Sequence, residues 1–186
     1  MKPGMPEKVE PEYIRHGTTV LIASRDVVTG QVKYTLGPTR KEEDFVSHIS
    51  AVVEEDPDAS YVFVMDQLNT HKSESLVRFV AAECGIPQDS LGTKGRNGIL
   101  KSMETRSEFL SDSDHRIRIV YTPKHCSWLN QIECWFSILS RRLLNVRSSF
   151  ASIEILQQKI KRFIAYYNKH LAGPFRWTKE AKTLQI

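Results

Sequence analysis

Residues 61–71 read YVFVMDQLNTH, an apolar run stopped by an acid and a polar turn. The run Tyr61–Met65 shows no alternation of apolar and polar positions. That is the pattern of a strand buried on both faces, as in a parallel pair. Asp66 then stands at the carboxyl end of the strand, the edge at which open α/β sheets bind ligands. Two readings of Asp66 stay open here. It is either a turn residue bonding to nearby backbone as the chain leaves a strand, or an acid placed for chemistry. The chain continues into a helix from near Ser73 to Cys84, with Leu76, Phe79 and Val80 facing inward and Gly85 and Pro87 ending it.

Upstream, Thr18–Ser24 and Gln31–Leu36 are short β-prone runs separated by DVVTG, a hairpin signal with Gly30 in the turn. Thr39 followed by Glu42 predicts a capping box. The helix after it carries Phe45, Ile49, Val52 and Val53 on one face and stops before Pro57. Downstream, residues 88–114 are polar, with Gly92, Gly95 and Gly98 among Lys94, Arg96 and Lys101, and Leu100–Leu110 predicts a short helix. Ile117–Tyr121 is a second strand, stopped by Pro123. Trp128–Leu144 is a helix with Ile132, Trp135, Phe136, Leu139 and Leu143 in one apolar stripe. A last helix runs from Ser152, its N-cap, to Leu171, before Gly173 and Pro174. Hairpin, then alternating helices and strands, predicts an α/β layer architecture.

Charge is divided unevenly along the chain. Residues 1–115 hold 13 Lys and Arg against 19 Asp and Glu, a balance of −6, whereas residues 116–186 hold 13 against 3, a balance of +10. So basic a segment attracts phosphate backbones through counterion release, unless it is only a solvated helical surface. No apolar run reaches the roughly 18 residues that a membrane span needs, and residues 1–13 have no apolar h-region. The expectation is a cytoplasmic protein without membrane association. Three cysteines without CxxC spacing fit free thiols in a reducing compartment rather than a zinc site.

Two more motifs bear on Asp66. Residues 121–130, YTPKHCSWLN, lead from a strand into a helix, where Lys124 and His125 are candidate phosphate contacts and Ser127 or Asn130 a candidate helix cap. Asn130-Gln131-Ile132-Glu133 follows. Glu133 is either the acid of an Asn-type capping box or a carboxylate projecting over the strand ends. Mg²⁺ takes hard oxygen ligands, commonly one or two carboxylates plus substrate phosphate. A strand-end Asp and a helix-borne Glu are the residue types such a site requires. His71 reads as a local cap or as a residue orienting a ligand or contacting phosphate. Trp128 reads as a helix anchor or a base-stacking side chain. Arg141, Arg142 and Arg147 favour the helix dipole and also suit DNA.

Taken together, Asp66 to His71, Tyr121 to Glu133, and Trp135-Phe136 resemble the DDE transposases of the mariner superfamily, most closely their bacterial insertion-sequence branch. The likeness runs from about Tyr13 to Trp177, with residues 1–12 as an irregular lead-in and 178–186 as a tail. The resemblance implies a ribonuclease-H-like mixed sheet flanked by helices. It also implies two Mg²⁺ or Mn²⁺ ions and nicking and strand transfer on double-stranded DNA, at transposon ends and target. The protein is then nucleoid-associated when bound. Asp66 matches the family's second acid and Glu133 its third; both are expected catalytic residues and metal ligands. Lys124, His125, Asn130, His71, Arg141 and Arg142 are expected at the DNA.

The resemblance also sets two expectations against this chain. The family's first acid lies on a strand upstream of the hairpin, and residues 1–17 contain no Asp. The expectation is a catalytic region lacking its first strand and its end-recognising helix-turn-helix. Flanking strands would then carry unpaired backbone groups that invite association, such as homodimer formation. The interval from Asp66 to Glu133 is longer than in the mariner pattern, which makes 88–114 an expected insertion: a DNA-contacting, plain or disordered loop. The rival to an active transposase region is an inactive remnant that at most binds DNA. A third reading is another ribonuclease-H-like nuclease.

Overall fold

The computed structural model describes residues 16–124, 126, 129–145 and 149–175. Among these, two two-stranded sheets and five α-helices make a mixed α/β structure. Strands β1 (Val20–Arg25) and β2 (Val32–Gly37) pair antiparallel, with Ile22 opposite Thr35 and Arg25 opposite Val32. Their turn is tied by Asp26. Its Oδ1 accepts the Val28 N–H at 2.8 Å, its Oδ2 the Thr29 hydroxyl at 2.6 Å, and its carbonyl the Gly30 N–H at 2.8 Å. Burial pushes the Asp26 carboxyl up, but the Thr29 and Val28 donors outweigh it and hold the group below the usual carboxylate range. Gly30 has φ +75°, and a Cβ there would run into the Gly173 backbone. Only glycine lets the hairpin tip lie so close to the chain that follows the last helix.

Helix α1 (Glu42–Val53) starts later than the Thr39 reading expects. Its N-cap is Lys41, and the capping carboxylate is that of Asp44, which reaches back to accept the Lys41 N–H at 2.8 Å and the Thr39 hydroxyl at 2.6 Å. The carboxylate two residues beyond Glu42 has the better reach, so Thr39 donates to the cap instead of being it. On its inner face α1 carries His48, 2 % exposed. The imidazole bridges the hairpin, with Nδ1 3.0 Å from Thr35 Oγ1 on β2 and Nε2 3.1 Å from Ser24 Oγ on β1.

Burial, with Lys33 adding a smaller push, lowers the His48 pKa from 6.5 to about 4. At pH above 6.5 both folded and unfolded chains hold this ring neutral, and its contribution to stability is complete. As pH falls from 6.5 to 4 the unfolded chain takes a proton that the folded one refuses, so stability declines through that window. The expected loss is about 3 kcal/mol. Urea denaturation at pH 7 and pH 4.5 reads it, and His48→Gln should flatten the difference. An equal slope in the variant would assign the acid sensitivity to other groups.

Strands β3 (Tyr61–Met65) and β4 (Ile117–Tyr121) pair in parallel, with Tyr61 opposite Ile117 and Met65 opposite Tyr121. The expected burial of β3 on both faces does not hold. Val62 is 61 % and Val64 49 % exposed, while Tyr61, Phe63 and Met65 pack inward. Helices α1, α2 (Glu74–Glu83) and α3 (Met103–Leu110) cover one face only. The helices that follow β4 contribute their buried residues to the other sheet. The first core is built from Ile49, Val53, Met65, Leu76, Val80 and Ile119 with their neighbours. The helix expected from near Ser73 begins at Glu74, and Ser73 caps it, accepting the Leu76 N–H at 3.2 Å.

Residues 88–114 enter this same core through Leu91, Leu100 and Leu110, none of them exposed. The glycine loop closes on itself: Thr93 N–H donates to the Asn97 side chain at 2.8 Å, and the Leu100 N–H to the Leu91 carbonyl at 3.0 Å. Lys94 is exposed, its Nζ 3.6 Å from Glu74 and 3.9 Å from Glu42. The α3 helix is shorter than the expected Leu100–Leu110 because Ser102 caps it, accepting the Thr105 N–H at 3.3 Å.

Helices α4 (Gln131–Arg142) and α5 (Ile153–His170) form the second core with the hairpin: Trp135 and Leu139 from α4, Ile160, Ile164 and Tyr167 from α5, and Val32 from β2. The expected helix from Trp128 is shortened to begin at Gln131; Trp128 itself, with Ser127 and Arg147, lies outside the described residues. Asn168 fastens α5 to the hairpin. Its side chain accepts the Val32 N–H and donates to the Val32 carbonyl, both at 2.9 Å, in the manner of a neighbouring strand. Val32 is 2 % exposed, so Asn168→Ala strands two buried backbone groups. The expected cost is about 2 kcal/mol, read as a fall in urea midpoint; an unchanged midpoint would show that water replaces the amide without loss. No helix among the described residues is long and apolar enough to cross a membrane.

Candidate active site

The parallel pairing of β3 and β4 sets the geometry of the edge beyond Met65. Thr122 N–H donates to the Met65 carbonyl at 2.8 Å, so the chain leaving β4 runs beside the chain leaving β3. Gln67 ties the two exits together, donating to the Thr122 carbonyl at 2.9 Å and accepting from Lys72 Nζ at 2.5 Å. The Lys72 ammonium also lies 4.7 Å from the centre of the Tyr121 ring.

Asp66 is the first residue past β3. Its Oδ1 accepts the Leu68 N–H at 3.1 Å and lies 2.8 Å from His71 Nδ1. Both contacts fall on one oxygen; Oδ2 has no partner among the described residues. The turn-residue reading of Asp66 is therefore correct as far as the Leu68 bond goes, and the second oxygen is left over for something else. His71 belongs to a short 3₁₀ turn, Asn69–Lys72. Its ring centre lies 4.6 Å from that of Phe45, and its carbonyl accepts the Tyr121 hydroxyl at 2.7 Å. Burial pushes the Tyr121 hydroxyl up, so it stays protonated and remains a donor. The His71 side chain is 16 % exposed against 38 % for Asp66. It faces the acid rather than solvent.

Glu133 lies in the first turn of α4 and is exposed. Asn130 caps that helix, its Oδ1 3.4 Å from the Ile132 nitrogen. Glu133 returns no bond to the Asn130 N–H, so the reciprocal half of a capping box is not made, and the carboxylate has no partner among the described residues. It borders a shallow groove with Cys134, Ser137, Ile138 and Arg141, which continues past Arg142 to Tyr167 and Leu171. Arg141 and Arg142 are exposed in the last turn of α4, Arg141 donating to the Ser137 carbonyl at 3.3 Å. Lys124 is exposed on the edge it shares with Asp66. His125 lies outside the described residues. Among the described residues no three His, Cys, Asp or Glu side chains converge on one point.

The structure thus joins Asp66 to His71 and places Lys124 on their edge, whereas Glu133, Asn130, Arg141 and Arg142 stand on the helix packed against the hairpin. Gln67, Tyr121 and Thr122, which hold the edge together, are not singled out by the sequence. The adjacency of Gln67 to Asp66 and the parallel register of Met65 with Tyr121 are the only signals that point to them. A family model described as DDE superfamily endonuclease matches residues 1–157. No curated protein and no solved structure matches the chain.

Proposed function

Since the chain belongs to the DDE superfamily endonucleases, we propose that it is the catalytic region of a metal-dependent DNA transposase, cutting and rejoining phosphodiester backbones. One observation carries this reading: Asp66 stands at the exit of a parallel strand pair with one oxygen held and the other open. A free carboxylate oxygen suits Mg²⁺ or Mn²⁺ in kind, and such ions are commonly held by one or two carboxylates completed by water and substrate phosphate. Asp66 and Glu133 would hold the metal, two ions in a complete site. When bound, the metal would activate the attacking oxygen and neutralise charge on the leaving one. The protein's own part is to hold Asp66 in one orientation and to bring DNA to it. Lys124, Arg141 and Arg142, all exposed cations, are assigned to the phosphate backbone. Asn130 has its side-chain oxygen directed to the helix cap.

The two strand pairs are read as parts of one ribonuclease-H-like layer. Residues 1–17 contain no Asp, and Asp26 is committed to the hairpin turn. The absence of a three-ligand cluster among the described residues is what favours the second reading, an inactive remnant that binds DNA. Supercoiled plasmid decides between them. The full chain with Mg²⁺ or Mn²⁺ is expected to convert it to open circles, and EDTA to stop the conversion. DNA retention in a gel shift without any metal-dependent nicking would replace the catalytic reading by the remnant.

A further inference from the structure

We propose that His71 is the positioning residue of Asp66, fixing which carboxylate oxygen faces a metal ion; the inference rests on the reading of Asp66 as a ligand. The contact is specific. His71 Nδ1 lies 2.8 Å from Asp66 Oδ1 and 3.3 Å from the Asp66 carbonyl, so both acceptors of one residue face the same ring nitrogen. Facing two acceptors, Nδ1 is the ring nitrogen that carries a proton. With the Leu68 N–H on the same oxygen, Oδ1 is doubly engaged and Oδ2 turns outward.

The ring has little freedom to leave. The 3₁₀ turn fixes its backbone through the His71 N–H to the Leu68 carbonyl at 2.9 Å, the Tyr121 hydroxyl holds its carbonyl, and Phe45 lies against it. Tyr121 is the partner of Met65 in the strand register, so the support is anchored on the strand beside the one that carries the acid. A side chain that is itself locked by packing and hydrogen bonds orients a ligand without rotamer freedom remaining to be lost on binding. His71 would act through Asp66 rather than on a metal ion directly.

Two measurements on the full chain without DNA test this. Mn²⁺ titration followed by electron paramagnetic resonance is expected to show that His71→Ala weakens binding roughly 10–100-fold, the usual effect of losing a residue behind a ligand. His71→Asn, whose amide nitrogen falls close to the lost Nδ1, should recover most of the affinity, and His71→Gln should not. Imidazole ¹⁵N shifts of the metal-free chain should show the Nδ1–H tautomer at His71, giving way to a mixture in Asp66→Ala. An Nε2–H tautomer in the wild type overturns the proposal, as does wild-type Mn²⁺ affinity in His71→Ala. Failure of the reading beneath it has a different signature. The tautomer is then as described, yet Asp66→Asn binds Mn²⁺ no more weakly than the wild type, and the positioning role falls with the ligand role.

Discussion

Asp66→Asn is expected to lower metal-dependent nicking about a thousandfold, which corresponds to roughly 4 kcal/mol of lost transition-state stabilisation. The substitution is chosen for what it leaves in place. Asparagine retains an oxygen where Asp66 Oδ1 accepts the Leu68 N–H and meets His71 Nδ1. What changes is the open oxygen, which becomes a neutral N–H₂ that no divalent cation accepts. The fold has little stake in that atom, because Asp66 is half-exposed and Oδ2 has no partner among the described residues. The melting temperature should therefore stay near the wild-type value while nicking collapses. Glu133→Gln should behave alike for the same reason: its carboxylate is exposed and makes no capping bond. Plasmid nicking assayed beside thermal unfolding separates the outcomes. Unchanged nicking in Asp66→Asn removes the acid from the chemistry, and a large fall in melting temperature would make it a structural turn.

How much of this could be read from the sequence depends on how local each cause is. The cap Ser152 and the limits of β4 were legible, because a side chain bonding to backbone three residues on, or a proline ending a strand, acts within one turn of chain. The exposure of Val62 and Val64 was not, since the residues 61–65 cannot tell whether helices arrive on one face or two. Nor was His48, whose two partners lie on strands that reach it only through packing. Three glycines and several charges hid the burial of Leu91 and Leu100. Asp66 and His71 were both marked as candidates from their motif. Their mutual bond was invisible, because only the 3₁₀ turn between them brings five residues of separation down to one contact. Asp66 was legible as a strand-end acid, whereas the residues that hold the edge around it, Gln67, Tyr121 and Thr122, depend on the parallel register of β3 and β4.

Trp135→Ala is expected to cost about 3–5 kcal/mol, the largest stability loss available in the second core. Trp135 is fully buried and meets three aromatic rings, with centres at 5.4 Å for Phe136, 6.2 Å for Tyr167 and 6.5 Å for Phe163. No neighbouring side chain can fill the space an indole leaves, because α4, α5 and the hairpin are each fixed by other contacts, Asn168 among them. Domains of ordinary stability hold about 5–15 kcal/mol in total, so the variant keeps a folded population with a melting temperature lower by roughly 10–15 °C. Trp135→Phe should cost less than half as much. It keeps an aromatic ring and removes an indole N–H that has no partner among the described residues. The two cores make the loss uneven. Amides of α4, α5 and β1–β2 should lose hydrogen-exchange protection first, while those of β3–β4 and α2 hold. Because α4 carries Glu133 and Asp66 follows β3, this loosening would shift Glu133 relative to Asp66 without touching either. Nicking in Trp135→Ala should therefore fall well below the folded fraction measured under the same conditions. Nicking that tracks the folded fraction, or protection lost evenly across both cores, would mean that the hairpin core does not set the position of Glu133.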